Sequence, residues 1–404
     1  MTLSEELQWR GFVNQTTLKD ITELDNGQLT FYWGVDPSAD SMTVGNFAAA
    51  MMVRHFMNHG HKAVLLVGGA TGMIGDPDGK AEERQLKALD EIATNKAGIV
   101  AEYKRIFNGL DFQLVDNYDW FKEINYLDFL RDVGKHFSMT QLLDRDFIKS
   151  RIGEGGKGIS YAEFSYSLIQ GYDFLHLFRK FGVTLQVCGA DQWGNSISGV
   201  ELIRKLEGKP AHIWTTPLVI NKATGKKFGK SEDGAVWLNE TKTSAYKFYQ
   251  FWLNADDEGV IDYMKIYTLL PKEEIDRLAK ATKDAPQTRE AQKVLAHEVT
   301  KLVHGEERTK NVERVTEVLF GDVLPTELTA AELEILTNEI PTISKDSQLI
   351  AALVEGGIVK SNGEARRLIE GGAISLNGKK VTSDSTLGEV ALIKKGKNTF
   401  ILVK

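Results

Sequence analysis

Three hydrogen-bonding side chains lie at helical spacing within the apolar stretch FSYSLIQGYDFLHLF, residues 164–178. Tyr166, Gln170 and Asp173 stand at positions i, i+4 and i+7, so a helix would place all three on one face. A phenol and an amide flanked by apolar residues suit a partly buried pocket, where the three groups can hydrogen-bond a ligand. A solvated polar face is the usual alternative, and the spacing alone does not exclude it.

Polar residues also follow two apolar runs that read as buried strands. LTFYWGV is followed by DPSADSMTVGN, which sets Asp36 at the strand end and residues 43–46 at the start of an apolar helix. LQVCG is followed by ADQWGN, which contains Asp191 and Gln192. A helix start exposes unpaired amides that suit a phosphate group, and the glycine of TVGN lets a nucleotide approach closely. Ordinary helix capping is the alternative at both places.

Two further loops could contact a ligand. GGATGMIGDPDGK, residues 68–80, is glycine-dense directly after an apolar strand, so its backbone amides can approach a ligand, although a tight turn is the alternative. KKFGKS, residues 226–231, sets Lys227 and Lys230 around a glycine. Lysines in such a loop suit a leaving phosphate, although a solvated basic turn is common. Both loops miss the GxxxxGK spacing by one residue, which excludes a P-loop NTPase, and the lack of a GxGxxG helix start disfavours a dinucleotide oxidoreductase.

Alternating strands and helices must position these segments. Short apolar strands that end in Gly or Asp and feed helices predict an open α/β fold with a mostly parallel sheet and ligands at the strands' carboxyl ends. Residues of about 85–160 read as helices rather than strands, which indicates an insertion. Residues from about 244 to 304 read as a helical domain, and a proline-containing acidic stretch after them as a linker or peripheral helix.

Composition limits the protein class. The 404 residues are 42% hydrophobic and 26% charged, which predicts two or three ordinary globular domains. A single cysteine, Cys188, excludes a disulfide framework and cysteine-rich metal sites. The pair His55 and His59 is better suited to a helix C-terminus than to a metal, so no metal site is expected. The N-terminal segment is acidic and no apolar run is long enough to span a membrane, so we expect a cytoplasmic protein with no membrane partner.

Charge is unevenly distributed. The last sixty residues hold ten Lys and Arg against six Asp and Glu, a net +4, whereas the whole chain is −7 and the remainder therefore −11. A basic tail on an acidic body predicts a module that binds a polyanion.

Taken together, the order and spacing of these motifs resemble bacterial tyrosyl-tRNA synthetases, which are class I aminoacyl-tRNA synthetases. The likeness covers essentially the whole chain, and the tail segment EARRLIEGGAISLNGKKV resembles an RNA-binding module of ribosomal proteins and pseudouridine synthases. It implies a Rossmann-like parallel-sheet catalytic domain with a helical insertion, an α-helical domain and a small α+β RNA-binding domain. The implied divisions are a catalytic domain with a dimerisation insertion at 1–220, a mobile KFGKS loop at 221–240, a helical anticodon-arm domain at 241–322, a linker at 323–340 and an RNA-binding domain at 341–404.

The resemblance also implies an activity. The enzyme would activate L-tyrosine with ATP and Mg²⁺, release pyrophosphate, and transfer tyrosine to the terminal ribose of tRNA(Tyr), as a homodimer joined through helices near KHFSMTQLL. Tyrosine would be bound by Tyr32, Asp76, Tyr166, Gln170, Asp173 and Gln192. ATP would be bound by Gly34, Asp36, Ser38, Gly45, Gly189 and Asp191. Catalytic contacts to the phosphates would come from Thr43, Asn46, Lys80, Arg84, Lys227, Lys230 and Ser231. The tRNA-binding candidates are Arg366, Arg367, Lys379 and Lys380.

Within this assignment, Tyr32 and Asp173 would bind the phenol hydroxyl of tyrosine. Asp76, with Tyr166 and Gln170, would hold the α-ammonium group. The implied partner of the substrate carboxylate is Gln192, and that of the ribose is Asp191.

One residue departs from the family pattern. The first signature tetrad normally begins with His, and here Thr43 stands in its place. A hydroxyl can donate one hydrogen bond but carries no charge. Three hypotheses therefore remain: a competent tyrosine enzyme, an activation-impaired paralogue that acts as an RNA-binding protein, and a synthetase for another aromatic amino acid.

Overall fold

The computed structural model describes residues 1–77, 86–231 and 234–404. Packing divides the chain into two compact units, residues 1–243 with 254–295, and residues 244–253 with 296–404. The predicted functional divisions near residues 241 and 322 follow different limits from this packing, and they stay predictions about function. No helix in the described ranges is both long and apolar enough to cross a bilayer.

The first unit is built on a six-stranded sheet in the order β1-β6-β5-β2-β3-β4. Its strands are β1 (Gln15–Thr16), β2 (Thr30–Val35), β3 (Lys62–Val67), β4 (Phe112–Asp116), β5 (Leu185–Gly189) and β6 (His212–Thr216). All neighbours are parallel except β1, which pairs antiparallel with β6. The chain runs outward from β2 to β4 and then returns to β5 on the other side of β2. This reversal creates a switch point between β2 and β5, where open α/β sheets bind ligands.

The helices of this unit connect the strands and cover the sheet. They are α1 (Leu3–Arg10), α2 (Val44–Asn58), α3 (Thr71–Ile74), α4 (Leu89–Ile106), α5 (Tyr118–Phe121), α6 (Tyr126–Asp132), α7 (Met139–Leu143), α8 (Asp146–Ile152), α9 (Tyr161–Phe181), α10 (Trp193–Glu207), α12 (Val260–Tyr267) and α13 (Lys272–Asp284). The last two residues of the KFGKS segment form β7 (Lys230–Ser231), which pairs antiparallel with β8 (Gly234–Ala235). The predicted α/β class with a mostly parallel sheet is confirmed.

The insertion is not wholly helical, and that part of the prediction is wrong. Strand β4 lies inside the range expected to hold only helices, and it pairs with β3 at the edge of the sheet. Its residues, FQLVD, are only partly buried and include polar side chains. An edge strand has a weaker apolar signal than a central strand because one side of it lacks a covering neighbour.

The second unit contains helices and a separate small sheet. Its helices are α11 (Ala245–Leu253), the later part of α14 (Glu290–His304), α15 (Glu306–Phe320), α16 (Ala330–Glu339), α17 (Leu349–Glu355) and α18 (Asn362–Glu370). The sheet order is β11-β10-β12-β13-β9, formed by β9 (Thr342–Ile343), β10 (Ile374–Leu376), β11 (Lys379–Lys380), β12 (Ala391–Lys395) and β13 (Thr399–Val403). A cluster of buried apolar side chains between residues 343 and 403 forms the core beneath this sheet.

Candidate active site

A cavity of about 430 Å³ opens at the switch point of the large sheet. Its walls come from the ends of β2 and β5, the start of α2, one face of α9 and the turn into α10. Fifteen of the predicted tyrosine, ATP and phosphate residues line it: Tyr32, Gly34, Asp36, Ser38, Thr43, Gly45, Asn46, Asp76, Tyr166, Gln170, Asp173, Gly189, Asp191, Gln192 and Lys227. The structure therefore brings the motifs together in one crevice, while the role of each residue stays a prediction.

The deep end of the cavity pairs a phenol with a carboxylate. Tyr32 on β2 and Asp173 on α9 are each only 2% exposed. Asp173 accepts hydrogen bonds from Asn117 Nδ2 at 3.1 Å and from Trp120 Nε1 at 3.0 Å. Tyr32 Oη is buried and has no hydrogen-bond partner among the described residues. Because a buried unpaired hydroxyl is costly, its presence in a cavity wall indicates a position where a ligand supplies the partner.

Burial governs the ionisation of this pair. Desolvation raises the pKa of Tyr32 well above its ordinary value, and the nearby Asp173 carboxyl raises it further. The phenol is therefore neutral and can both donate and accept. Desolvation also raises the pKa of Asp173, against the opposing hydrogen bonds of Asn117 and Trp120. A ligand hydroxyl that donates to this carboxyl would favour its charged form.

Next to this hole, two more carboxylates are fixed by side-chain hydrogen bonds. Asp36 accepts from Thr71 Oγ1 at 2.5 Å and from Tyr166 Oη at 2.7 Å. Because the Tyr166 hydrogen is donated to Asp36, the phenol oxygen keeps its lone pairs for a cationic ligand. Asp76 accepts from Gln192 Nε2 at 2.5 Å. Gln170 Oε1 is buried without a partner in the described part of the chain. Asp76, Tyr166 and Gln170 all line the cavity, and a carboxylate with further acceptors is what an ammonium group requires.

Gly68, at the start of the glycine-rich segment after β3, allows Asp36 and Thr71 to meet. A Cβ atom added to Gly68 would lie 2.1 Å from Asp36 Oδ1 and 2.2 Å from Thr71 Oγ1. Neither distance is tolerable, so glycine is required where Asp36 and Thr71 meet. The glycine-dense segment thus packs against the binding residues, which a tight turn alone would not explain.

The outer end of the cavity is the N-terminus of α2. Thr43 is the N-cap residue, and Asn46 Oδ1 accepts from the Thr43 backbone N–H at 3.0 Å and from Thr43 Oγ1 at 2.8 Å. A Cβ atom added to Gly45 would meet only Thr43 Oγ1, at 3.5 Å, so glycine leaves room above the helix start. The helix dipole and the unpaired amides make this end attractive to phosphate.

The KFGKS segment lies against the same helix start. A Cβ atom on Gly229 would be 3.2 Å from Val44 Cβ and 3.3 Å from the Gly45 nitrogen. Phe228 stacks on Tyr263 with ring centroids 4.1 Å apart, and Lys227 lines the cavity. Lys80 and Arg84 lie outside the described residues, as do the side chains of Lys230 and Ser231.

The remaining predicted residues lie elsewhere. Arg366 and Arg367 on α18, with Lys379 and Lys380 on β11, are all exposed in the second unit. His55 and His59 lie at the C-terminal end of α2, and both contact the Glu6 carboxyl. His55 Nδ1 is 3.1 Å from Glu6 Oε1, and His59 Nε2 is 2.7 Å from Glu6 Oε2.

Several functional candidates were not predicted from the sequence. Asn117 and Trp120 hold Asp173, and Thr71 holds Asp36. Gln186 on β5 also lines the cavity, and its buried Oε1 has no partner among the described residues. A polar residue within the apolar run LQVCG was a usable signal for Gln186. The others act across long sequence separations, which the local pattern does not reveal.

The lining also limits the chemistry. Burial raises the pKa of Cys188 to about 12, so this thiol stays protonated near neutral pH and is a poor nucleophile. The cavity instead offers a hydrogen-bonding hole, a set of acceptors for a cation and an anion-binding helix start. These features define a doubly wound α/β protein that binds a small polar substrate beside a phosphate-bearing ligand.

Comparison with known proteins gives the family. The family model tRNA synthetases class I (W and Y) matches residues 24–321, and the model Tyrosine--tRNA ligase SYY-like C-terminal domain matches residues 332–403. Tyrosine--tRNA ligase 2 of Bacillus cereus is 46% identical over 425 aligned residues, which cover 100% of this chain and 99% of that protein. Tyrosine--tRNA ligase of Geobacillus stearothermophilus is 44% identical over 422 aligned residues, which cover 100% of both.

A solved structure agrees with these relatives. The C-terminally truncated mitochondrial tyrosyl-tRNA synthetase of Aspergillus nidulans is 29% identical, with a TM-score of 0.71, and the match covers 79% of this chain and 94% of that one. The chain belongs to the class I tRNA synthetases of the tryptophan and tyrosine group. The resemblance predicted from the motifs is confirmed.

Proposed function

We propose that the protein activates L-tyrosine with ATP, releases pyrophosphate, and transfers the tyrosyl group to the 3′-terminal ribose of tRNA(Tyr). The observation that carries this proposal is the deep end of the cavity, where Tyr32 Oη has no partner in the described ranges and lies beside the fixed carboxyl of Asp173. A phenol hydroxyl can accept from Tyr32 and donate to Asp173, which satisfies both groups at once. The full-length relatives named tyrosine--tRNA ligase support the same substrate.

The tyrosine backbone would occupy the middle of the cavity. Its α-ammonium group donates to Asp76, Gln170 and Tyr166, which all line this region. Its carboxylate accepts from Gln192, whose amide is oriented by Asp76. A substrate fixed at both ends loses little further freedom on the way to the transition state.

The first reaction step would be an in-line displacement at the α-phosphate. A tyrosine carboxylate oxygen forms a bond to the α-phosphorus, and the bond from that phosphorus to the bridging oxygen of pyrophosphate breaks. The α2 N-terminus, which begins after the N-cap residue Thr43, stabilises the charge on the phosphates together with Asn46 and Lys227. From the family resemblance we assign the same role to Lys80, Arg84, Lys230 and Ser231.

ATP enters as its magnesium complex, so the metal arrives with the substrate. The adenylate part would contact the backbone at Gly34, Gly45 and Gly189 and the side chains of Asp36, Ser38 and Asp191, all of which line the cavity. In the second step, the terminal ribose hydroxyl of tRNA attacks the carbonyl carbon of the adenylate and AMP leaves.

A tryptophan substrate is the main alternative. An indole offers one N–H donor and no acceptor, so it would leave the hydrogen of Tyr32 Oη unpaired. The buried phenol–carboxyl pair therefore favours tyrosine. A purely RNA-binding role is supported only by Thr43, since the other described crevice residues retain the predicted pattern.

The insertion would join two copies into a homodimer. Its helices expose large apolar side chains, including Tyr126 at 59%, Leu127 at 70% and Met139 at 56%. Exposed apolar clusters of this kind mark interfaces.

The helical domain would contact the anticodon arm, and the tail would bind tRNA. Because the full-length relatives are bacterial tyrosine--tRNA ligases, we place the enzyme in the cytoplasm.

Deleting residues 341–404 should separate the two reaction steps. The deleted segment has its own apolar core and carries the exposed cations of α18 and β11, so tyrosine-dependent pyrophosphate exchange should stay within about threefold while tRNA charging falls at least about tenfold. The double variant Arg366→Glu/Arg367→Glu should show the same separation without removing the fold. Unchanged tRNA charging in both variants would refute the RNA-binding role of the tail. A wild-type protein without tyrosine-dependent pyrophosphate exchange would refute the proposed activity.

A further inference from the structure

Helix α4 holds the loop that leads into the first signature tetrad. Asn95, Gly98 and Glu102 stand at i, i+3 and i+7, which places them on one helix face. Asn95 Nδ2 donates to the Pro37 carbonyl at 3.0 Å. A Cβ atom on Gly98 would lie 2.0 Å from the Asp40 carbonyl oxygen, so only glycine permits this approach.

Glu102 makes the shortest hydrogen bonds of this helix face. Its Oε1 accepts from Ser41 Oγ and its Oε2 from the Met42 backbone N–H, both at 2.7 Å. The glutamate is 2% exposed and Met42 is fully buried. A buried carboxyl that accepts two short hydrogen bonds from consecutive residues fixes the backbone immediately before Thr43.

The opposite side of the same segment is bound by residues that follow the KFGKS loop. Val44 N–H donates to the Val236 carbonyl at 2.9 Å, and Leu238 N–H donates to the Met42 carbonyl at 3.0 Å. Ser41 Oγ, which donates to Glu102, also accepts from the Asn239 N–H at 3.1 Å. Residues 42–44, at the start of the first signature tetrad, therefore pair antiparallel with residues 236–238, which follow the KFGKS loop. Glu102 binds one end of this pairing through Ser41 and Met42.

We propose that Glu102 is a positioning residue for catalysis. It holds the α2 N-terminus next to residues 236–239, which follow the KFGKS loop, and this geometry lets the α2 N-terminus and the KFGKS loop contact the same phosphates. The inference rests on the phosphate-binding role proposed above for these two segments. Glu102 itself does not line the cavity, so it acts through Ser41 and Met42.

Two protonation states of Glu102 preserve this arrangement. Desolvation raises the pKa of Glu102 to about 7, against the opposing hydrogen bonds of Ser41 and Met42 and the nearby charge of Arg105, while Asp40 raises it. In the acid form, the carboxyl O–H donates to Ser41 Oγ, and the Ser41 hydrogen turns to the Met42 carbonyl, which is 2.9 Å away. Glutamine can imitate the acid form because its amide donates to Ser41 and accepts from Met42.

The test compares Glu102→Leu, Glu102→Gln and a matched control, Glu91→Leu, on the exposed part of the same helix. Glu102→Leu should lower kcat for tyrosine-dependent pyrophosphate exchange roughly 10- to 100-fold and raise KM for ATP, with tyrosine affinity within about threefold. Glu102→Gln should recover most of the loss. A kcat for Glu102→Leu equal to that of Glu91→Leu, or a parallel loss of tyrosine affinity, would overturn the proposal.

Hydrogen exchange gives a readout that does not depend on activity. The amides of Leu238 and Asn239 should exchange faster in Glu102→Leu than in wild type, while amides in β3 stay protected. Unchanged protection at Leu238 and Asn239 would overturn the positioning role even if the enzyme proved inactive. If the wild-type protein shows no tyrosine-dependent pyrophosphate exchange while the amides of Leu238 and Asn239 do exchange faster in Glu102→Leu, the result would instead count against the proposed function.

Discussion

Asp173→Ala should lower kcat/KM for tyrosine in pyrophosphate exchange by roughly two to four decades, with little change in KM for ATP. The substitution removes the predicted acceptor for the substrate hydroxyl and leaves the Asn117 and Trp120 donors without their common partner. Each unmade buried hydrogen bond costs roughly 1–3 kcal/mol, and charged partners increase the cost. Three such groups in one pocket account for the expected loss.

A matched control separates this effect from general damage. Asp284→Ala removes an exposed carboxylate at the end of α13 and should leave kcat/KM within about threefold of wild type. Tyrosine binding measured by calorimetry without ATP should fall in Asp173→Ala and not in the control. Equal tyrosine affinity in both variants would show that Asp173 does not contact the substrate.

Thr43→His should raise kcat for pyrophosphate exchange by roughly 10- to 100-fold. In the present structure the Thr43 hydroxyl gives its hydrogen to Asn46 Oδ1, so that hydrogen is not available to a phosphate. An imidazole reaches farther, and with an ordinary pKa near 6.5 it is partly cationic at neutral pH. One transition-state contact of this type is worth roughly 1–3 kcal/mol, which sets the size of the gain.

The gain should be confined to the chemical step. Tyrosine affinity should not change, because Tyr32 and Asp173 lie at the other end of the cavity, and Thr43→Ala should give no increase. An unchanged kcat in Thr43→His would mean that the contact made by the usual histidine is dispensable in this chain.

The local periodicity of α9 predicted a shared polar face, and this face forms one wall of the cavity. Helical geometry is short-range, so the spacing of Tyr166, Gln170 and Asp173 determines their common face before any packing is known. The ends of β2 and β5 were predicted for a related reason, since parallel strands of an open sheet bring their carboxyl ends to one edge. These rules predicted the walls that α9 and the strand ends form, but they did not predict Gln186, which also lines the cavity.

The supports of those residues could not be predicted in the same way. Asn117 follows β4, an edge strand with a weak apolar pattern, and it meets Asp173 only because β4 joins the sheet. Glu102 reads as one charged residue of an amphipathic helix, and its burial depends on Gly98 and on a loop sixty residues earlier. Long-range hydrogen bonds of this kind have no local signature.

The most direct test of the account is amino-acid-dependent pyrophosphate exchange by the full chain with tyrosine, phenylalanine and tryptophan. The cavity predicts exchange with tyrosine and a kcat/KM at least about 100-fold lower for phenylalanine, because phenylalanine gives Tyr32 Oη no hydrogen-bond partner and gives Asp173 no hydroxyl donor beyond Asn117 and Trp120. Tryptophan should be rejected as well. Comparable exchange with phenylalanine or tryptophan, or none with tyrosine, would contradict the assignment of this crevice.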